Sequence, residues 1–175
     1  MKLSRHVALV GLPGAGKTSV GRALARELGC GFADSDEEIE KSAGCAIGTI
    51  FAEQGEPAFR AMERETILDL IDREPIIIAL GGGAFADAAT RNQLLSRAVV
   101  VWLDVAENVL VERLTLDCPR PLFEGEDLRM KLGELAALRS GHFAQAQLRC
   151  EATSSVEMVG KVRSAIEALS PAILV

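Results

Sequence analysis

The sequence predicts an α/β fold built on a parallel sheet, and three observations predict it. Short apolar runs alternate with helical patterns along the chain, a glycine-rich loop joins the first run to the first helix, and three glycines directly follow the strongest run. Strands separated by helices pair in parallel through right-handed crossovers, with helices covering the sheet.

Val7-Ala8-Leu9-Val10 is a continuous apolar run, the pattern of a strand buried on both faces. After the glycines, Val20, Ala23, Leu24 and Leu28 fall on one helical face, and Gly29 is placed to cap the C-terminus. Gly31-Phe32-Ala33 predicts a weak second strand ahead of Asp34-Ser35-Asp36, and a helix follows from about Asp36 to Ser42. Thr49 can cap a short helix through Ile50 and Phe51. Pro57 suits the first turn of a longer helix, whose apolar face is Phe59, Met62, Thr66, Ile67, Leu70 and Ile71. Ile76 to Leu80 is the clearest buried strand, and Val99 to Leu103 is another, after a helix carrying Leu94 and Leu95. A helix continues from the Ala106 region through Leu114. Between Thr115 and Asp127 two prolines, a glycine and several charges predict a mobile loop. A helix from about Leu128 to Phe143, a short strand near Cys150 to Thr153 and a helix from about Val156 to Leu169 complete the pattern. No internal repeat, low-complexity tract or long linker interrupts it, so residues 1–175 are expected to form one domain.

Composition narrows the function. The net charge of −6 argues against non-specific binding to nucleic acid or a membrane surface, which needs a basic face. A few arginines can still make one pocket locally positive. Aromatic residues are only 4%, so the core must rest on Leu, Val, Ile and Ala. Cys30, Cys45, Cys118 and Cys150 form no CxxC pair, which predicts reduced thiols in a cytoplasmic protein and no zinc site. Met1 to His6 has no apolar h-region of a signal peptide, and no apolar run approaches the ~20 residues of a membrane helix.

Gly11-Leu12-Pro13-Gly14-Ala15-Gly16-Lys17-Thr18 fits the phosphate-binding pattern G-x-x-x-x-G-K-[ST], the P-loop, with a strand before it and an amphipathic helix after it. Glycines let backbone N–H groups turn inward onto phosphate oxygens, and the helix N-terminus adds its positive dipole end. Lys17 supplies a charge for the β- and γ-phosphates, and the Thr18 hydroxyl is placed to ligate Mg²⁺.

Asp34 and Asp36 follow the second strand, at the sheet edge where ligands of parallel sheets bind. One carboxylate could reach the Mg²⁺ shell through water and the other could orient or deprotonate an acceptor hydroxyl. Equally, Ser35 or Asp36 could cap the next helix while Asp34 is solvated. Arg60 and Glu63 share a helical face. They are either a surface ion pair or an arginine braced to clamp a substrate carboxylate. Gly81-Gly82-Gly83 has more glycine than a turn requires, which suggests close approach of backbone to ligand. Arg120, between Pro119 and Pro121, suits a lid over the γ-phosphate or a solvated loop.

The ordered set GLPGAGKTSVGRALA, DSDEEIE, GEPAFRAMERE, LGGGA, CPRPLF and LRSGHF resembles the shikimate kinase family over nearly the whole chain. The resemblance implies a P-loop fold of the nucleoside-monophosphate-kinase type with a five-stranded parallel sheet. It implies transfer of the ATP γ-phosphate to the 3-hydroxyl of shikimate, in aromatic amino-acid synthesis, with Mg²⁺ as cofactor. ATP would be held by Gly14, Ala15, Gly16, Lys17, Thr18 and Ser19, with Arg113 near the adenine and Arg120 with Lys17 on the transferring phosphoryl group. Asp36 would bind ring hydroxyls and activate one of them. Arg60 and Arg139 would hold the shikimate carboxylate, Glu63 would brace Arg60, and Gly81, Gly82 and Gly83 would line the site. Thr18 would ligate the metal, with Asp34 reaching it through water. The shikimate-binding region would span about 34–63 and the lid about 115–127, in a cytoplasmic monomer.

Phe143 and Gln145 stand where the resemblance leads one to expect a tyrosine and an acidic residue, and Phe123 where a leucine is usual. Two alternatives stay open at this level. A kinase for another polyol acid, such as gluconate, would not need the two arginines in this arrangement. A non-catalytic nucleotide switch would need neither them nor Asp36.

Overall fold

The computed structural model describes residues 3–116 and 127–169. Five parallel strands form one sheet in the order β2-β3-β1-β4-β5, where β1 is His6–Val10, β2 Phe32–Asp34, β3 Ile77–Ala79, β4 Ala98–Asp104 and β5 Leu148–Glu151. The helices are α1 (Lys17–Leu28), α2 (Ser35–Ala43), α3 (Ile47–Asp72), α4 (Ala88–Arg97), α5 (Glu107–Leu116), α6 (Leu128–Phe143) and α7 (Ser155–Ala168), with a 3₁₀ turn at Ala84–Ala86.

Alternation along β1 sorts the core into two layers. Val7 and Leu9 point to one face, where they join Val20 and Leu24 of α1 and Met158, Val162 and Ile166 of α7. Ala8 and Val10 point to the other, with Ile67 and Leu70 of α3, Leu94 of α4 and Phe143 of α6. All five residues of β1 are buried, which is why its sequence reads as an unbroken apolar run. A third, smaller cluster of Ile39, Ile50 and Phe59 holds α2 against α3.

Strand order decides where ligands can bind. Successive crossovers from β1 run to opposite sides of it, so a crevice opens at the carboxyl ends of the central strands. The glycine loop follows β1, Asp34 ends β2 with Asp36 two residues on, and the triple glycine follows β3, so all three motifs lie on that edge.

Several boundaries differ from expectation. α5 runs through Leu116, so Thr115 and Leu116 are helical where the loop was expected to begin. α3 begins at Ile47 with Ala46 as its N-cap, so Thr49 lies in the first turn and is not the cap. The two helices expected on either side of residue 55 run end to end, broken only at Gly55 (φ 78°, ψ 171°), a left-handed setting that glycine alone takes without strain. Pro57 then falls in the first turn of the second part, as its missing N–H allows. β5 starts earlier, at Leu148, because Thr153 and Ser154 serve the start of α7. Ser154 Oγ accepts from the Glu157 N–H at 3.2 Å, and Glu157 Oε2 accepts from the Thr153 N–H at 3.1 Å. His6, which the sequence leaves without a role, is buried at the start of β1, where its Nδ1 accepts from the Ile76 N–H at 3.2 Å.

Gly21 sets how closely α1 lies on the sheet. A Cβ there would stand 2.5 Å from Phe32 Cε2 and 3.2 Å from Leu9 Cδ1. Gly21→Ala gains ~1 kcal/mol of helix propensity but forces an overpacking that costs about 1–3 kcal/mol. We expect a net loss of stability, read as a lower urea midpoint at unchanged m-value.

Candidate active site

The glycine loop places a cation and an open helix end together. Gly14 and Gly16 take φ of 81° and 88°, and Gly16 precedes α1 with no side-chain cap. The first-turn N–H groups of α1 are therefore open to an anion. Lys17 Nζ folds back onto the loop, donating to Gly11 O at 2.9 Å and Leu12 O at 3.2 Å. Beside the loop lies a groove of about 370 Å³, lined by Gly14, Gly16, Lys17, Thr18, Ser19, Arg113, Leu116 and Ser155. Arg113 is fixed in its wall, donating through Nη1 to Gly14 O at 3.1 Å and through Nη2 to Thr153 O at 3.0 Å.

Asp34 does two jobs that the sequence had divided between residues. Its Oδ2 accepts from the Thr18 hydroxyl at 2.6 Å, and its Oδ1 accepts from the Asp36 N–H at 3.0 Å, capping α2. Neither Ser35 nor Asp36 is the cap, because Asp34 still has the extended backbone that a cap requires. Ser35 is fully buried, and its Oγ accepts the Gly81 N–H at 2.8 Å. That bond ties the turn after β2 to the turn after β3. The sequence offered only one signal for it, a small hydroxyl between two acids.

The triple glycine is where the charges converge. A Cβ on Gly81 would overlap Asp36 Oδ1 and stand 3.0 Å from Glu63 Oε1. One on Gly82 would be 3.0 Å from Arg139 Nη1 and 3.9 Å from Pro13 Cγ of the glycine loop. One on Gly83 would meet Arg60 Nη1 at 2.5 Å and Arg60 Cζ at 2.9 Å. Asp36, Glu63, Arg60 and Arg139 thus surround one turn, one residue away from the phosphate loop. Gly81 spends its N–H on Ser35, so it contributes close approach and no donor. No protein acceptor is recorded for the Gly82 and Gly83 N–H groups among the described residues.

These charges are unevenly compensated. Glu63 is 3% exposed and accepts from Arg60 Nη1 at 2.8 Å. It is therefore a buried partner and not a surface one. Burial raises the Glu63 pKa, against the pull of Arg60. For Arg60 burial works against the charge, but Glu63 and Glu56 outweigh it and its pKa is raised. Arg139 differs. It carries no hydrogen bond or ion pair among the described residues, and its pKa is lowered by burial and then by the like charge of Arg60, with the Glu63 carboxylate pulling the other way. Asp36 Oδ1 and Glu63 Oε1 are buried without a hydrogen-bond partner among the described residues. The Asp36 carboxyl is pushed up to about 6, first by burial and then by the charges of Asp34 and Glu63, with Lys17 pulling the other way. A half-buried guanidinium without a hydrogen-bonded anion beside an acid oxygen without a donor calls for a ligand bearing both a carboxylate and a hydroxyl.

The structure thus brings together Lys17, Thr18, Asp34, Asp36, Arg60, Glu63, Gly81, Gly82, Gly83 and Arg139. Arg120, Phe123, Cys118 and most of the expected 115–127 lid lie outside the described residues. Two of the three departures from the expected pattern, Phe143 and Gln145, have local explanations. Phe143 is buried with its ring 5.8 Å from that of Trp102, so it serves packing. Gln145 keeps an acceptor, its Oε1 taking the Arg91 Nε–H at 3.1 Å, without a charge.

The comparisons agree with this geometry. The family model for shikimate kinase matches residues 13–169. A shikimate kinase of Caulobacter vibrioides is 44% identical over 170 residues, covering 97% of this chain and 82% of the relative. A solved shikimate kinase from Acinetobacter baumannii, in complex with shikimate, superimposes with a TM-score of 0.89 at 35% identity, over 95% of this chain and 94% of that one. A gluconokinase from Sinorhizobium meliloti gives a TM-score of 0.64 at 22% identity over 98% and 96%, a likeness of fold alone.

The raised Asp36 pKa makes a stability prediction. A carboxyl whose folded pKa is raised stabilises the fold fully only below its unfolded pKa, and loses that contribution as pH rises through about 6. At pH 8 the ionised Asp36 is therefore a strain on the ligand-free protein. Asp36→Asn should stabilise it at pH 8 by ~2 kcal/mol, discounted from ~3 because Asp36 keeps some solvent. The gain should vanish near pH 4. Thermal melts of both proteins at the two pH values measure this.

Proposed function

The chain belongs to the shikimate kinase family, and from that membership and the site geometry we infer how its residues carry out the reaction. It transfers the γ-phosphate of ATP to the 3-hydroxyl of shikimate, giving shikimate 3-phosphate and ADP on the route to aromatic amino acids. Arg139 carries the reading of the acceptor site. It is a half-buried cation without a carboxylate of its own, pointed at the turn that Arg60 and Asp36 also face. Shikimate supplies what is missing there. Its carboxylate lies between Arg139 and Arg60, with Glu63 bracing Arg60, and the Gly82 and Gly83 N–H groups line the site at close range. Its ring hydroxyls reach the orphan oxygen of Asp36, which accepts the proton of the attacking hydroxyl. A pKa near 6 leaves Asp36 ionised at neutral pH and basic enough for that step.

The triphosphate lies along the loop formed by Gly14, Ala15, Gly16, Lys17, Thr18 and Ser19, with the adenine toward Arg113. Lys17 exchanges its two loop carbonyls for β- and γ-phosphate oxygens. Arg120, which lies outside the described residues, adds a second positive charge to the transferring group. Thr18 and Asp34 fit Mg²⁺, because a hydroxyl and a carboxylate already joined at 2.6 Å offer one direct ligand and one acceptor for a bound water. No cluster of three or more candidate ligands occurs among the described residues, as suits a metal held chiefly by the nucleotide. When bound, Mg²⁺ neutralises phosphate charge as it develops.

The 34–63 segment acts as the shikimate-binding region, Asp34 to Glu63. The protein works as a cytoplasmic monomer that meets neither nucleic acid nor membrane, and no helix among the described residues is long and apolar enough to cross a bilayer.

Lys17→Ala should lower kcat by about 10²–10³-fold, the scale of losing one preorganised electrostatic group, with an unchanged melting temperature. A coupled ADP-release assay with Mg-ATP and shikimate reads this. In the same assay Arg139→Ala should raise the KM for shikimate at least ~10-fold, as loss of a charge-assisted bidentate contact requires, while the KM for ATP stays within about twofold. A nucleoside monophosphate accepted better than shikimate would overturn the carboxylate clamp.

A further inference from the structure

Arg60 has a second carboxylate partner that neither the sequence motif nor the clamp accounts for. Glu56, four residues earlier on α3, accepts at Oε1 from Arg60 Nε at 3.2 Å and from Arg60 Nη2 at 3.1 Å. Glu63 takes Nη1 from the other side. A guanidinium has five N–H donors. Glu56 engages one on Nε and one on Nη2, and Glu63 engages one on Nη1. Two remain, one on each terminal nitrogen, and these are the donors left for a ligand carboxylate.

The same geometry fixes which way that pair faces. The Gly83 Cβ position lies 2.5 Å from Nη1, 2.8 Å from Nη2 and 2.9 Å from Cζ, so the terminal end of the guanidinium lies against the glycine turn. The Nε side, which Glu56 holds, is turned away from it. Rotation of the guanidinium about its long stem would exchange these two sides. Glu63 alone cannot prevent it, since it grips a single nitrogen.

The position of Glu56 is itself imposed by the backbone. Gly55 breaks α3 at φ 78°, and Pro57 starts the next turn, so Glu56 sits at the head of the second part of the helix, one turn before Arg60. The Glu56 side chain is 63% exposed and that of Arg60 is 30% exposed. On stability grounds such a pair is worth little. Its value lies in orientation.

We propose that Glu56 is a positioning residue for substrate recognition: it holds the Nε side of Arg60 so that the two terminal N–H groups face the carboxylate of the acceptor. The proposal rests on the shikimate kinase reading of the site. It adds a determinant of acceptor affinity that does not touch the acceptor.

The test uses the full chain in the coupled ADP-release assay at saturating Mg-ATP with shikimate varied. Glu56→Ala should raise the KM for shikimate about fivefold, the effect of an exposed pair worth ~1 kcal/mol. The kcat, the KM for ATP and the melting temperature should stay near those of the parent. Glu56→Gln keeps an oxygen at the same reach and should restore most of the affinity. Glu56→Asp, one methylene short, should not. An unchanged KM in Glu56→Ala would show an idle surface pair, and a lower KM would show that Glu56 competes with the substrate. A rise in both KM values with a lower melting temperature would show only a support for α3. Each of these three results overturns the proposal. Failure of the parent protein to phosphorylate shikimate at all would instead overturn the function on which it rests.

Discussion

The turn after β3 leaves no free space for a methyl group at Gly81 or Gly83 and little at Gly82, and the rest of the site depends on that constraint. Each of Gly81, Gly82 and Gly83 stands where a Cβ would strike a charged side chain: Asp36 and Glu63 at the first, Arg139 at the second, Arg60 at the third. Four ionisable groups from three helices therefore meet around bare backbone. Ser35 fastens the turn by accepting the Gly81 N–H in a fully buried bond. Bare backbone also lets a small ligand approach closely, because nothing on the turn holds it off.

Charge placed this way is held at a cost in stability. Burial raises the pKa of Asp36 and of Glu63 and lowers that of Arg139, so each of these three groups is less comfortable charged than it would be in water. Among these four groups of the described site, only Arg60 and Glu63 share a direct ion pair. Arg139 feels Glu63 without bonding to it, and Asp36 keeps one buried oxygen without a donor. A site with such a deficit binds its ligand partly by completing its own electrostatics.

The phosphate side is arranged differently. Lys17 and the α1 N-terminus offer donors that loop carbonyls or solvent satisfy in the absence of nucleotide. Thr18 and Asp34 join this half to the acceptor half, since Asp34 bonds the loop hydroxyl and caps the helix that carries Asp36. One aspartate thus fixes the spacing between the phosphate loop and Asp36. Proximity of that kind is the main contribution a protein makes to phosphoryl transfer.

Much of this could be read from the sequence. The phosphate loop was legible because its glycines, lysine and threonine are contiguous and framed by a strand and a helix that announce themselves by period. The same holds for β3 and its glycines, for α1 with its Gly29 cap, and for the parallel topology. Local chemistry dictated those features, so a local pattern revealed them. The helix start at Ile47, the union of the two parts of α3 at Gly55 and the true cap of α2 were not legible. Each depends on a competition between neighbouring residues that tertiary packing settles. Nor could the sequence tell that Glu63 is buried while Glu56, also within one helical turn of Arg60, is exposed. It could not tell that Ser35 spends its hydroxyl on Gly81, or that Arg139 lacks a partner among the described residues. Residues 36, 60, 81 and 139 are distant along the chain and acquire a common environment only when β2, β3, α3 and α6 converge. The sequence alone determined which chemical groups were available and that a triphosphate would be bound. The tertiary structure decided which charges are compensated and which await a ligand, because burial and pairing are properties of the folded surroundings and not of the chain.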